Sequence, residues 1–339
     1  MMPLLVFVPP VTLLIAANVG GPALALPPLV LFGMVPLLDQ ILPQNKDNTP
    51  GATWQRWLPI SFVPAHVAAL AVALYQVAFG GWSPTEQVFL TLGMGLISAV
   101  AINVAHELMH RPGKGEQRLS ELLMALTTYT HFCIEHVQGH HKNVGTPKDP
   151  ATSRLGESLY AYLPRTLVGG LRSAWAIEAA RSGIGLKNRM LHYGIFQVAL
   201  LAGLYLTLGG LGLAAFLFQS AVAVVMLETI NYLEHYGLER KEVAPGRYER
   251  VQPHHSWNSS HVVSNAMLLN LARHSDHHAF AARSFRELRH YEAVPQLPTG
   301  YSAMLMMAFV PPLWFRVMNP QVARALQAQN AGENVAATA

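Results

Sequence analysis

Eight of the chain's 16 histidines stand in three short runs. They read His106-Glu107-Leu108-Met109-His110, Glu135-His136-Val137-Gln138-Gly139-His140-His141 and His274-Ser275-Asp276-His277-His278. Spacings of three and four place side chains on one helix face, so each run can aim two or three imidazoles at one point. In the central run His136 and His140 are expected one turn apart, with His141 beside them. Neutral imidazole is the commonest metal ligand. Four ligands close a structural zinc site and three make a catalytic one, so this number implies more than one ion. A carboxylate accompanies each run, as Glu107, Glu135 and Asp276, and Glu234 precedes a further histidine, His235, where an apolar stretch ends. Ligating imidazoles usually give their other N–H to such a group, which assigns these four acids the part of orienting partners.

The first run also matches the zinc-protease pattern, with His106 and His110 as ligands and Glu107 activating water. That chemistry takes one more ligand and leaves the other clustered imidazoles without a role. His254, His255 and His261 form a looser group, read as surface or hydrogen-bonding residues. His66 is read as packing within a span, and His131, His192 and His290 as non-ligands. Cys133 is the single cysteine, so the chain has no internal disulfide and no Cys-x-x-Cys electron-transfer module; electrons must come from another protein. No basic run interleaved with aromatic residues points to nucleic acid.

Apolar helices must position these residues. The chain is 51% hydrophobic and 12% charged, against about 25% charged in soluble domains. No charged residue precedes Asp39, so the first stretch lacks the positive region of a secretory signal and reads as two membrane helices. Segments able to cross about 30 Å of hydrocarbon fall at about 4–19, 23–42, 58–79, 88–105, 191–208 and 211–232. They make three hairpins, closed by Gly20-Gly21-Pro22, by Gly80 to Glu86 and by Gly209-Gly210. All 23 basic residues lie outside those turns, and the positive-inside rule puts the segments that hold them, with both termini, in the cytoplasm. The fourth span then delivers His106 and the sixth His235 to the side where the other runs lie. The expectation is an all-α chain forming a single integral-membrane domain over 1–339. It is a six-transmembrane-helix bundle with a cytoplasmic His-rich catalytic cap built from about 106–190 and 233–320. Residues 301–315, apolar but short, are expected at the lipid interface.

The runs His-x3-His, His-x3-His-His and His-x2-His-His among six spans resemble the integral-membrane di-iron fatty acid desaturase and hydroxylase superfamily. Asn231-Tyr232-Leu233-Glu234-His235-Tyr236-Gly237-Leu238, with 139–154, 253–265 and Arg273 to Ala279, is similar to its alkane 1-monooxygenase branch and the related xylene monooxygenases. The resemblance implies nine ligands: His106, His110, His136, His140, His141, His235, His274, His277 and His278. It implies two iron ions, dioxygen, and rubredoxin as donor, itself reduced by an NAD(P)H-dependent reductase. The implied reaction is hydroxylation of the terminal methyl of medium-chain alkanes to primary alcohols, in the cell inner membrane. Alkyl-aromatic methyl hydroxylation and fatty-acyl hydroxylation or desaturation are the neighbouring activities, and an intramembrane zinc metalloprotease is the alternative from another class.

An alkane already dissolves in lipid, so the roughly 0.8 kcal/mol per buried methylene largely cancels on entering the protein. Selection of chain length must be steric. A dry apolar channel lined mainly by spans two to four and six is expected beneath the clusters. Arg154, Arg240, Arg273, Arg283 and Arg286 are expected to give the cytoplasmic face a positive potential that steers an acidic donor.

Overall fold

The computed structural model describes residues 3–330. Its main helices are α1 (Pro3–Val19), α2 (Gly21–Ile41), α3 (Thr53–Phe79), α4 (Pro84–Met109), α5 (Lys114–Ala125) and α6 (Leu159–Ser182), followed by α7 (Arg189–His235), α8 (Val262–Met267), α9 (His274–Ala279), α10 (Tyr301–Ala308) and α11 (Pro311–Asn330), with a short helical segment over 132–143 between α5 and α6. The sheet among the described residues is one hairpin of β1 (Glu242–Ala244) and β2 (Arg247–Tyr248). The chain is all-α, as composition and periodicity predict. Four helices, α2, α3, α4 and α7, are long and apolar enough to cross a membrane, and α1 is shorter.

Helix α7 holds 47 residues, about 70 Å at 1.5 Å per residue, more than twice the hydrocarbon thickness. Gly209 breaks it, with φ 70° and ψ −172°, a conformation open to glycine and costly for other residues. The two halves fold back on each other: Leu200, Leu204 and Leu208 pack in the same apolar cluster as Ala215 and Phe216. Gly20, between α1 and α2, adopts nearly the same backbone, φ 67° and ψ −165°. Both reversals fall at turns read from the sequence. At the remaining hairpin, Ser83 caps α4 in a capping box with Glu86, and Pro84 follows at the first helical position.

Helix α4 is the most enclosed of the candidate spans. Gly95 lets α7 approach so closely that a Cβ there would lie 2.5 Å from the Val222 Cβ. That contact brings the ends of α4 and α7, with His106 and His235, to the same place.

The segments after α7 are fastened to the N-terminal part of the chain by polar groups. Asp39 Oδ1, near the end of α2, accepts the N–H groups of Val263 at 2.9 Å and Ser264 at 3.2 Å, capping α8 across more than 220 residues of chain. The buried Arg273 donates to the carbonyls of Leu288, Asn45 and Asp47 at 2.6, 2.8 and 3.0 Å. Leu269 and Asn270, at φ 51° and 58°, make the turn that aims α9. The 301–315 segment buries Tyr301, Met304, Ala308 and Trp314 against Tyr232 and Tyr236, while Met306, Val310 and Leu313 stay exposed.

Candidate metal centre

Nine imidazoles from four separate segments meet at one end of the bundle. His106, His110, His136, His141 and His277 form one set and His140, His235, His274 and His278 another, and within each set one ring nitrogen per residue lies within 4.8 Å of all the others. The sets adjoin, with the rings of His141 and His278 stacked 4.4 Å apart.

Local backbone decides which ring joins which set. Glu135–His140 is a π-helix, whose hydrogen bonds run to the fifth residue and whose turn is correspondingly wider. The neighbour of His136 in its set is therefore His141, five residues on, and His140 turns to the second set. This corrects the expectation that His136 and His140 share a point. In α9, His274 and His278, one turn apart, go together, and His277 faces the other set.

The nitrogens fit an ion-binding centre. Nε2 of His136 stands 2.7 Å from Nε2 of His106 and 3.0 Å from that of His141, and His277 and His141 are paired at 3.1 Å. In the second set His274 and His235 approach at 3.2 Å. Nitrogens about 2.1 Å from a first-row ion and at right angles to each other stand about 3.0 Å apart. Buried ring nitrogens of His110, His140 and His278 have no hydrogen-bond partner, which is costly unless something else satisfies them. Burial, reinforced by neighbouring imidazoles, holds His136, His141, His274, His277 and His278 well below the usual histidine range. Neutral rings are the form that ligates.

His140 differs because a carboxylate addresses it. Its Nδ1 lies 2.8 Å from Asp149 Oδ2, so Nδ1 carries the proton and Nε2 is free toward the set. Burial opposes charge on this ring, but Asp149 prevails and raises it to about 8.

The four acids named from sequence divide. Glu234 Oε2 is 3.2 Å from His274 Nε2, and Tyr301 donates to its Oε1 at 2.9 Å. Glu107 instead accepts from Arg111 at 3.1 Å and from the Phe285 N–H at 3.1 Å. Asp276 accepts from Arg283 at 2.5 Å, Tyr291 at 2.6 Å and the Arg289 N–H at 2.9 Å. Glu135 is buried with Oε1 unpartnered. Local hydrogen-bond donors closer than any imidazole thus take Glu107 and Asp276. Neither Asp149 nor the buried Glu228 was singled out from sequence. Glu228 accepts from Tyr129 at 2.8 Å, Thr166 at 2.9 Å, Tyr162 at 3.3 Å and Asn231 at 3.3 Å. A lone acid inside an apolar span was the available signal for Glu228. Among the described residues Glu135, Asp149, Glu228 and Glu234 have no lysine or arginine within salt-bridge distance, whereas Glu107 and Asp276 have Arg111 and Arg283.

The remaining histidines stay apart from both sets. Glu249, His254 and His255 cluster, but His255 Nδ1 accepts the Gln252 N–H at 2.9 Å, which leaves its proton on Nε2 toward Glu249 and no lone pair for an ion. His261 and His290 pair with Ser259 and Ser260, each at 2.8 Å. His66 stacks on Phe62 at 5.7 Å, His131 packs on Tyr129 at 4.3 Å, and His192 is exposed.

Two cavities lead to the centre. The outer one, about 50 Å³, is walled by α2, α4, α7, α8 and α10, with Phe32, Leu96, Met226, Met267 and Leu305 among its lining. The inner one, about 20 Å³, reaches His106, His136 and His274. Ala99 and Ile230 line both. Helix α3, expected along the channel, contributes nothing to either lining; it packs against α1, α4 and α7. Helices α8 and α10 take its place.

Comparison with known proteins places the chain among relatives. The fatty acid desaturase family profile matches residues 81–308. Alkane 1-monooxygenase 1 of Pseudomonas aeruginosa is 41% identical over 328 residues, covering 92% of this chain and 85% of that protein. Alkane 1-monooxygenase of Acinetobacter baylyi is 38% identical over 309 residues, 87% of this chain and 76% of that one. The xylene/toluene monooxygenase hydroxylase component of Pseudomonas putida is 30% identical over 243 residues, 69% of this chain and 64% of that one.

Proposed function

The chain belongs to the fatty acid desaturase family and, within it, to the alkane 1-monooxygenases, membrane oxidoreductases, and from that premise we propose a non-haem di-iron enzyme that converts medium-chain alkanes to primary alcohols. The observation that carries this reading is the convergence of nine imidazoles into two adjacent sets at the closed end of an apolar cavity.

The first set, with His106, His110, His136, His141 and His277, holds one iron, and His140, His235, His274 and His278 hold the other. Nine neutral imidazoles bring no negative charge to two divalent ions. Glu135, Asp149, Glu228 and Glu234, buried and without a basic partner, bring up to four, enough to balance two such ions; Asp39, the other buried acid of this kind among the described residues, caps α8 instead. Bound iron supplies what no side chain can, activation of dioxygen and an oxidant able to break a methyl C–H bond. The protein's own residues do the rest. Asp149 fixes the His140 tautomer, Tyr301 orients Glu234, and the carbon-lined cavities admit a chain end-on and exclude water. The balance is alkane, dioxygen, two protons and two electrons giving alcohol and water. With one cysteine, the chain draws its electrons from outside, here from rubredoxin.

Six crossings give the simplest membrane arrangement, since Gly209 divides α7 into two. The distribution of basic residues supports a cytoplasmic metal centre, with the protein in the inner membrane as one domain. A surface cleft that includes His110 in its lining carries Arg56, Arg111, Arg283 and Arg286 against Glu107, Glu116 and Glu287, a short approach for a donor protein. The zinc-protease reading requires Glu107 to face a metal-bound water, and both its oxygens are held by Arg111 and the Phe285 N–H.

The test is to supply membranes containing the protein with rubredoxin, its reductase, NADH and a mixture of octane, hexadecane, xylene and a fatty acid, and to identify the products. Octane giving 1-octanol is expected; turnover of the fatty acid or xylene alone contradicts the proposal.

A further inference from the structure

Asn103 lies three residues before His106 on α4, and Asn231 four before His235 on α7. Each is one helical turn from a ring of the metal centre, and both line the inner cavity. Both amides are oriented by groups that can only accept. Asn103 Nδ2 donates to the Leu268 carbonyl at 2.9 Å, and Asn231 Nδ2 to the Glu228 carboxylate at 3.3 Å. Neither partner could receive an amide oxygen, so each side chain is held in one of its two flips. Glu228, four-fold hydrogen-bonded, is thereby a positioning residue for Asn231.

What remains of Asn103 is its carbonyl oxygen. The residue is 5% exposed, and Oδ1 has no partner. A buried acceptor left unmet is unfavourable, and meeting it is rewarded. An alkane has no O–H or N–H to offer. An alcohol does. The inner cavity, at about 20 Å³, has room for one or two water-sized groups, the size of a terminal CH2–OH.

We propose that Asn103 is a hydroxyl-binding residue whose Oδ1 accepts the O–H of a primary alcohol, the alkyl chain lying in the apolar cavities behind it. The assignment rests on the reading that a chain end reaches the inner cavity. It makes the enzyme hold its product more tightly than its substrate, because a site that hydrogen-bonds a hydroxyl discriminates against the analogue lacking one. Slow departure of the alcohol follows, and with it inhibition by added alcohol.

The experiment measures binding of octane, 1-octanol and 1-chlorooctane to iron-loaded, unreduced enzyme in detergent micelles by titration calorimetry, with partition into empty micelles subtracted. 1-Chlorooctane has the same chain and a polar end but no donor. Wild-type enzyme is expected to favour 1-octanol over 1-chlorooctane by about tenfold. Asn103→Leu, close in shape and without the amide, is expected to abolish that preference while octane affinity and iron content hold. If the variant loses iron or does not fold, the wild-type ratio decides alone. Equal wild-type affinities, or a preference that survives in a folded Asn103→Leu enzyme, overturn the assignment. Failure of all three ligands to bind overturns the channel reading beneath it.

Discussion

Ala99 is the sharpest place to test the route from lipid to metal, because it lines both cavities and stands where one passes into the other. Ala99→Leu adds three carbons at that neck. At about 10–15 Å³ for each water-sized group, the inner cavity has room for one or two groups, so the added side chain fills the space the reacting methyl needs. Forcing extra methylenes into a packed site costs about 1–3 kcal/mol, roughly a 5- to 150-fold loss in octane kcat/KM. The assay is initial-rate formation of 1-octanol at saturating donor, with iron content measured on the same preparation. Ala199→Leu, on the exposed face of α7, is the control and is expected to leave the rate unchanged. An Ala99→Leu enzyme with full iron and octane kcat/KM within about twofold of wild type refutes the channel.

Asp149→Asn keeps the shape but removes the carboxylate that fixes His140. Iron affinity by chelator competition is expected to fall about 10- to 100-fold, and unchanged affinity removes Asp149 from the account. Iron loading is expected to release protons. Burial, then the charge of Asp149, lifts Glu135 to about 8, and Asp149, against burial, lifts His140 to about 8. Both raised groups are protonated in the metal-free enzyme below pH 8, and a cation must displace those protons. Affinity therefore rises from about pH 6 to 8 and levels off above; calorimetry in buffers of different ionisation enthalpy counts the protons, and pH-independent loading contradicts the prediction. Asp39→Ala leaves the Val263 and Ser264 N–H groups uncapped and is expected to cost about 0.5–2 kcal/mol. The check is a lowered midpoint in thermal unfolding in micelles; an unmoved midpoint would mean that Asp39 does not fasten α8.

The parts legible in the sequence are those set by local rules. The glycine reversals at Gly20 and Gly209 need only one positive φ, and the structure places them as read; the three histidine runs do meet in one place. The sharing of rings between the two sets was not legible. It depends on a π-turn at Glu135–His140, which adds a residue to the turn and moves His140 away from the set that holds His136. Nor could the sequence send Asp149 to His140, since the intervening Lys148-Asp149-Pro150 reads as a plain turn until the chain folds back. Glu107 and Asp276 sit beside their histidines in sequence yet are taken by Arg111 and Arg283, because adjacency in a helix is not direction. The channel wall went to α8 and α10 instead of α3 for a related reason. Apolar length identifies candidate spans but not which neighbour each one faces, and here Asp39 and Arg273 tie the segments after α7 to α2 and the chain that follows it.

The most direct measurement is the metal content of the purified, as-isolated protein, by elemental analysis per polypeptide. Two irons per chain, falling on His235→Ala and again on adding His110→Ala, is the result that two imidazole sets require. One zinc per chain, lost with His110→Ala and indifferent to His235→Ala, would contradict the di-iron centre and the oxygenase chemistry built on it.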